Sequence, residues 1–561
     1  MRNKYYPSFS QHNSYIKSQT LRVGKTTNQL KQTHIHSLKT LTKPQYHNFL
    51  TQFLTHLLEL PGDNLSYAHH VFDQIPNCKN QFVWTALIRA NVMHSHFSQS
   101  IDLYAKMQRT GVSPSGFTFS SVLNACARLP AISQGNQIHK RLVQSGFLGN
   151  KIVQTALLDM YAKFGCVLDA RYLFDMMGEK QKDVVAWTAM ICGYTKLGMM
   201  DDAQRLFETM RERNVVSWSA MVAGYAHCGK MKEARDLFDE MLEKNPVTWV
   251  AMISGYGKCG DVNEARRVFD QIEMRDASCW AAIVACYAQN AYAREAIEMY
   301  KAMREEKVMI NEVAMVGAVS ACTQLGDIEM ATTLHRHVEE GCWDKTVFVS
   351  NALINMHAKC GCMELAWREF DRMKERDVIS YSTMITALGE HGESQKALDL
   401  FIKMLKEGIK PNQVTFIGVL NACSSGGLVE EGCQHFELMT QNFDIQPLTE
   451  HLTCMVDLLG RAGQLEKTYD FMMKHVGALD AGIWGALLGA CKVHSNTELG
   501  EIAAKRLFKI EPDNTGNYVL LANTYASMGK WDDAERIRKI MNERGMRKSV
   551  GCSWIPSLRQ T

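Results

Sequence analysis

No acidic residue precedes Glu59 in this chain of 561 residues. The same stretch carries Arg2, Lys4, Lys17, Arg22, Lys25, Lys31, Lys39 and Lys43, set among Ser, Thr, Gln, Asn and His. Acid-poor, basic and hydroxyl-rich is the composition of an organellar transit peptide, for mitochondrion or chloroplast with the mitochondrion preferred; a merely basic tail is the plainer alternative. No apolar run approaches the ~18 residues of a membrane span, so no membrane partner is expected. Eleven prolines are too few for a Pro-rich linker protein. With 62 Lys+Arg against 59 Asp+Glu the net charge is only +3, which excludes coating of nucleic acid by bulk charge.

Catalytic signatures are missing too. None of the 17 cysteines forms a Cys-x-x-Cys pair, so neither a secreted disulfide framework nor a zinc deaminase centre is expected. His-x-Glu occurs at His337–Glu339, His391–Glu393 and His435–Glu437, with no cysteine pair to complete any of them. Cys360-Gly361-Cys362 lacks partners at zinc spacing, and no phosphate-binding G-x-x-x-x-G-K-[ST] loop occurs. The expectation is a non-enzyme without metal, cofactor or small-molecule substrate. Cys126, Cys322, Cys423 and Cys491 each follow an alanine at equivalent places, as small packing residues do.

What the chain does have is repetition. Trp187, Trp218, Trp249 and Trp280 recur in step with Phe207, Phe238, Phe269 and Tyr300, and with Ala203, Ala234, Ala265 and Ala296. A fixed period of this size signals a solenoid of supersecondary units. The apolar spacing around Ala203, Leu206, Phe207 and Met210 is helical, and Gly198 separates it from an earlier apolar stripe. Repeats run 81–115, 116–150, 151–183, 184–214, 215–245, 246–276, 277–311, 312–346, 347–377, 378–412, 413–448 and 449–480. A degenerate repeat occupies about 46–80, with Leu65, Ala68, Val71 and Phe72 in its second helix, and half of another lies at 28–40. The predicted fold is all-α, a right-handed superhelical solenoid of stacked helix-turn-helix repeats. The tryptophans, as first apolar anchors of each helix, read as core and not as base-stacking platforms.

Val184-Val185-Ala186-Trp187-Thr188-Ala189-Met190-Ile191 and Phe117-Thr118-Phe119-Ser120-Ser121-Val122-Leu123-Asn124-Ala125-Cys126 resemble the short and long motifs of plant pentatricopeptide repeat proteins. The resemblance covers about 46–555. Residues 481–514 and 515–546 resemble the two extension motifs of that family's editing-factor subgroup, and a member without the family's deaminase-like domain is expected. The organisation expected is a basic segment 1–45 holding the transit peptide and half repeat, an array 46–480, extension motifs 481–546 and a tail 547–561.

The resemblance implies single-stranded organellar RNA as partner, one base per repeat. The fifth residue would contact a base edge: Thr85, Ser120, Thr155, Thr188, Ser219, Asn351, Ser382 and Thr453. So would the last: Ser115, Asn150, Asp183, Asn214, Asn245, Asp276, Asn311, Asp377, Asn412 and Asp480. An Asp carboxylate accepts the ring N–H of guanine or uracil, and an Asn amide donates to the ring lone pair of adenine or cytosine. The competing reading of the last position is a helix N-cap. Val250, Ala281, Val316 and Ile417 at the fifth place cannot make such a bond, and Ser115, Thr346 and Leu448 depart from Asn/Asp at the last. By resemblance, Thr or Ser at the fifth place favours purine and Asn pyrimidine, which gives 5′-G-A-A-N-N-N-U-A-N-G for repeats 151–480. Function is expected to be site recognition for C-to-U editing, recruiting a deaminase-domain protein and organellar editing factors through 481–546. Splicing, stability or translation of a transcript is the alternative, and a tetratricopeptide-like peptide scaffold the more distant one.

Overall fold

The structure is a computed structural model and describes residues 49–50, 53–54, 57 and 64–546, except 76–77, 130, 342–345, 476 and 478. The half repeat at 28–40, most of the basic segment and the tail 547–561 lie outside the described residues. Those described form 29 α-helices and no strand. They divide into two compact bodies, Met1–Glu273 and Met274–Thr561, each a stack of helix pairs.

Each repeat opens with a first helix at its first residue. In the first body these begin at Gln81, Gly116, Lys151, Val184, Val215 and Pro246. In the second they begin at Ala277, Glu312, Val347, Val378, Gln413 and Thr449, then at Ala481 and Thr515 in the extension region. The first helix hardly varies: Val184–Lys196 and Gly116–Arg128 both have 13 residues. Repeat length is adjusted in the second helix, with 10 residues in Met200–Thr209 but 13 in Ala293–Glu305. The long repeat 413–448 absorbs its extra residue in a π-helical turn, Leu438–Asn442, after Val429–Glu437. Between the helices a glycine such as Gly198 sits at φ +73°, a left-handed conformation that costs a side-chain-bearing residue about 1 kcal/mol.

The repeating columns form the core. Ala203, Ala234, Ala265 and Ala296 are fully buried, and Phe207, Phe238, Phe269 and Tyr300 nearly so. Leu65, Ala68, Val71 and Phe72 of the degenerate repeat are buried on Leu65–Asp73. In the first body, second-helix phenylalanines meet the next repeat's tryptophan edge-on in Phe174–Trp187, Phe207–Trp218 and Phe238–Trp249, with ring centroids 4.8, 4.9 and 4.9 Å apart. Trp84 and Trp280 are buried, and Trp187, Trp218 and Trp249 half-buried against that core. A cation closes the junction: Lys182 lies 4.9 Å from the Phe174 ring, Arg213 4.6 Å from Phe207 and Lys244 5.0 Å from Phe238. Arg376 repeats the contact over Phe370 at 4.7 Å. Such contacts contribute about 0.5–1 kcal/mol each where exposed.

First helices of neighbouring repeats also approach closely at glycine. A Cβ on Gly224 would lie 2.7 Å from Thr195 Cβ, and one on Gly255 2.8 Å from Ala226 Cβ. Gly489, in Ala481–Val493, has nothing within 4 Å of such a Cβ. Gly224→Val should therefore destabilise the chain by roughly 1–3 kcal/mol through overpacking, whereas Gly489→Ala should stabilise it by about 0.5–1 kcal/mol through helix propensity. Thermal unfolding of the two variants checks the opposite signs.

Candidate functional site

The last residue of a repeat is the N-cap of the next first helix. Asp183 Oδ1 accepts the Ala186 N–H at 3.0 Å, Asn214 Oδ1 that of Ser217 at 2.8 Å and Asn245 Oδ1 that of Thr248 at 2.9 Å. Asp276, Asn311, Asp377, Asn412 and Asp480 do the same through Cys279, Ala314, Ser380, Thr415 and Ile483. Asn150 accepts from Ile152 and Val153, and Ser115 from Thr118. Thr346 makes no side-chain cap bond. Leu448 has no side chain to cap the helix; His451 supplies only the reciprocal bond of a capping box, its Nδ1 accepting the Leu448 N–H while Nε2 faces the Gln413 carbonyl at 2.9 Å. Burial holds that imidazole below its usual pKa, despite the Gln413 bond, and so favours the neutral ring this role needs.

The cap thus accounts for these residues structurally, but for one atom only. A backbone N–H can only donate, so the capping atom of each Asn must be its oxygen. The amide nitrogen is thereby turned to the other side as a donor, and in Asp the second oxygen is left as an acceptor. In Asn311 that nitrogen donates to the Ala277 carbonyl at 3.2 Å, and in Asp183 the second oxygen takes Lys151 Nζ at 3.1 Å. Burial raises the Asp377 pKa, but bonds from the Ser380 backbone and hydroxyl, the Asn351 amide and the Ile379 N–H lower it more, so its carboxyl sits below the ordinary range.

Fifth residues lie beside these caps. Ser219 Oγ is 3.2 Å from Asn245 Oδ1, and Asn351 Nδ2 donates to Asp377 Oδ1 at 3.2 Å. Each pair belongs to one repeat. Ser219 and Asn351 are buried, as are Thr188 and Ser382, while Thr85, Ser120, Thr155 and Thr453 are half-buried. Thr85, Thr188, Ser382 and Thr453 donate to the carbonyl four residues back, which leaves their oxygens as acceptors. Two polar atoms here are buried with no partner among the described residues: Thr155 Oγ1 and Asn351 Oδ1. Buried polar atoms without a bond cost about 1–3 kcal/mol, so both are sites where an added donor would be rewarded. Val250, Val316 and Ile417 are half-buried and Ala281 is buried, and none of these side chains has a polar atom.

Sequence reasoning missed the second residue of each repeat. Phe82, Phe117, Ile152, Val185, Val216, Val247, Val313, Phe348, Ile379 and Val414 are all exposed, from 48% at Ile152 to 64% at Phe117. Repeats 277–311 and 449–480 carry Ser278 and Glu450 instead. The sequence shows an apolar residue at this place in ten of the twelve repeats, but nothing in it tells such a residue from one of the core. In the second body Phe348, Ile379 and Val414 line one cleft with Asn351 and Ser382. Apolar side chains beside polar edge-binding groups suit planar heterocycles, whose faces stack and whose edges hydrogen-bond. Cations also recur in the last turn of the first helices: Arg128, Lys163, Lys196, Lys258, Lys359 and Arg461. They suit the negative helix end, and Lys163, Lys359 and Arg461 are also paired with Asp159, Glu390 and Asp457.

The histidines of the three His-x-Glu pairs all have protein partners. His337 contacts Tyr300 and Arg304, His391 bonds the Ala358 carbonyl, and His435 packs edge-on against Phe401. No cluster of three or more His, Cys, Asp or Glu able to hold a metal occurs among the described residues, and no described helix is long and apolar enough to cross a membrane.

Comparison with known proteins follows the same periodicity. The PPR repeat family matches residues 79–128, 182–216 and 376–425, and the PPR repeat itself 155–181, 216–246, 247–276, 278–308 and 348–378. The E motif matches 494–556. In Arabidopsis thaliana, the pentatricopeptide repeat-containing protein CRR2, named as chloroplastic, is 34% identical over 89% of this chain and 62% of its own length. A second Arabidopsis relative, named as mitochondrial, is 36% identical over 88% of this chain and 63% of its own length. A third is 35% identical over 95% and 78%. The chain therefore spans less than two thirds of the first two relatives. The crystal structure of the pentatricopeptide repeat protein PPR10 from maize aligns at 17% identity and TM-score 0.48 over 97% of this chain and 87% of that one.

The cap geometry makes a separable prediction. Asn412→Ala should cost roughly 0.5–2 kcal/mol, the usual worth of an N-cap, and Asn412→Asp less than half of that, because its oxygen still caps Gln413–Gly426. Denaturant unfolding of the two variants measures the difference.

Proposed function

This chain belongs to the pentatricopeptide repeat family of plants, in the subgroup that carries an E motif, and from that premise we propose that it binds single-stranded RNA sequence-specifically inside an organelle. The observation that carries the reading is the repeated triad: an exposed apolar second residue, a polar fifth residue and a last residue whose free atom is fixed by its cap. The second residues supply faces for the bases, and the fifth and last residues supply edges. Asn214 and Asn245 offer an N–H to the ring lone pair of adenine or cytosine; Asp183, Asp377 and Asp480 offer an oxygen to the ring N–H of guanine or uracil. The cations of the first helices face a phosphate backbone well.

The E motif supports a role in C-to-U editing, with a deaminase-domain protein and organellar editing factors recruited in trans. Splicing, stability or translation would use the same interface without the E motif's partner. Organellar residence is in keeping with the relatives named as chloroplastic and mitochondrial. The extension region exposes Val493, Met528 and Trp531, the last at 68%, as apolar candidates for a docking face. Its core is shared with Leu452, Val456, Leu465 and Met472 of repeat 449–480, so a point substitution tests docking more cleanly than truncation.

Selection of bound sequences from randomised RNA tests the interface. The expected core is 5′-G-A-A-N-N-N-U-A-N-G, and Asn214→Asp should move the preferred base of its repeat from A towards G by about 1–3 kcal/mol. No base preference there, or none that changes, removes the assignment. Trp531→Glu should leave RNA affinity within about twofold, since surface substitutions away from a binding site change it little, yet reduce editing in organelle extract. Undiminished editing would take the docking role away from Trp531.

A further inference from the structure

We propose that the third residue of a repeat, where it is Ser or Thr set against the preceding last residue's side chain, is a positioning residue for the base-reading pair of the repeat before it. This inference rests on the base-reading function proposed above and assigns it a third participant. In repeat 215–245 the Asn245 side-chain oxygen is held by both the backbone N–H and the hydroxyl of Thr248, at 2.9 and 2.8 Å. Ser219 approaches the same oxygen at 3.2 Å. In repeat 378–412 the Thr415 hydroxyl lies 3.0 Å from Asn412 Oδ1 and 2.7 Å from Ser382 Oγ, so it bridges last and fifth residues. Thr118 bridges Ser115 and Thr85 in the same way, at 2.9 and 2.7 Å. Ser380 binds Asp377 Oδ1 at 2.8 Å beside Asn351.

These hydroxyls are out of reach of solvent: Thr118, Thr248, Ser380 and Thr415 all have zero exposure. A buried hydroxyl is costly unless bonded, and its bonds here go to the reading pair or its backbone. The consequence is a restriction of the Asn or Asp torsion, so that the outward atom holds one direction. Other repeats lack the brace. Ala186 follows repeat 151–183, and there Thr155 Oγ1 is buried without a partner. Ala314 and Ile483 follow repeats 277–311 and 449–480. Braced repeats should discriminate sharply and unbraced ones loosely, even where their fifth and last residues are the same types.

The test uses the full chain and randomised RNA. Thr248→Val removes the hydroxyl at nearly constant shape and should lower selectivity at the nucleotide of repeat 215–245 by roughly threefold to tenfold, the worth of one hydrogen bond, leaving other nucleotides unchanged. Thr248→Ser should restore it, and Ala186→Ser should sharpen the nucleotide of repeat 151–183. Unchanged selectivity in Thr248→Val overturns the proposal, as does an equal weakening at all positions, which would mark a merely structural role. Asn245→Asp in the same selection separates the two layers. If it changes the preferred base while Thr248→Val does nothing, only the bracing fails; if neither does anything, the base reading itself has failed.

Discussion

Everything at the candidate interface depends on how the first helix of each repeat is started. An α-helix leaves four N–H groups at its N-terminus without partners, and in a stack of short helices that problem recurs at every repeat. Here it is met by the last residue of the repeat before, in Asp183, Asn214, Asn245, Asn311, Asp377, Asn412 and Asp480 alike. A capping side chain cannot rotate freely without losing its bond. It is therefore pinned at the junction between two repeats, with one atom spent on the helix and the other facing away from it. The cation that precedes it, such as Arg213 over Phe207, holds the chain entering the cap to the core of the repeat it leaves.

Packing supplies the regularity that a cap alone would not. First helices keep nearly constant length, while one turn more or less is placed in the second helices. Variation in repeat length is thus diverted from the helices that bear the polar pairs. Close approach at Gly224 and Gly255 keeps consecutive first helices near one another, and the edge-on Phe–Trp contacts fix each repeat on the next. Cys126, Cys322, Cys423 and Cys491 are fully buried, and burial pushes their thiols up, to about 11 or 12. They are neutral packing groups, as their periodic recurrence suggested.

The fold was legible because its information is periodic. Every first helix from Gln81 to Thr515 begins where the aromatic and polar columns place it, since the same burial pattern had to be solved many times with the same residues. Two features were not legible. The exposed second-position residues, such as Phe348 and Val414, carry the same apolar signal as core residues, and only their accessibility tells them apart. Leu448 breaks the column from which the caps were read, and the bond from its N–H to His451 joins two positions that no single column contains. At the last position sequence alone left N-cap and base reader as alternatives. Three-dimensional geometry shows the cap, and because it occupies one atom of the side chain, the proposed base reading by the other atom does not compete with it.

That division has a consequence for how such a chain can change its target. Asn and Asp cap helices about equally well, and their side chains have nearly the same shape. Through the capping oxygen they are interchangeable, apart from the ~0.3–1 kcal/mol by which a carboxylate gains from the helix dipole. Through the outward atom they are opposites, one donating and one accepting. On the proposed reading, a single Asn-to-Asp exchange inverts the hydrogen-bonding demand on a base while the fold scarcely registers it. An exchange at the fifth position is less free, because Ser219 and Ser382 are buried and Asn351 fills its place against Asp377. Purine-versus-pyrimidine choice is therefore coupled to packing, and the choice within each class is coupled only to the cap, so the second can drift among related chains faster than the first.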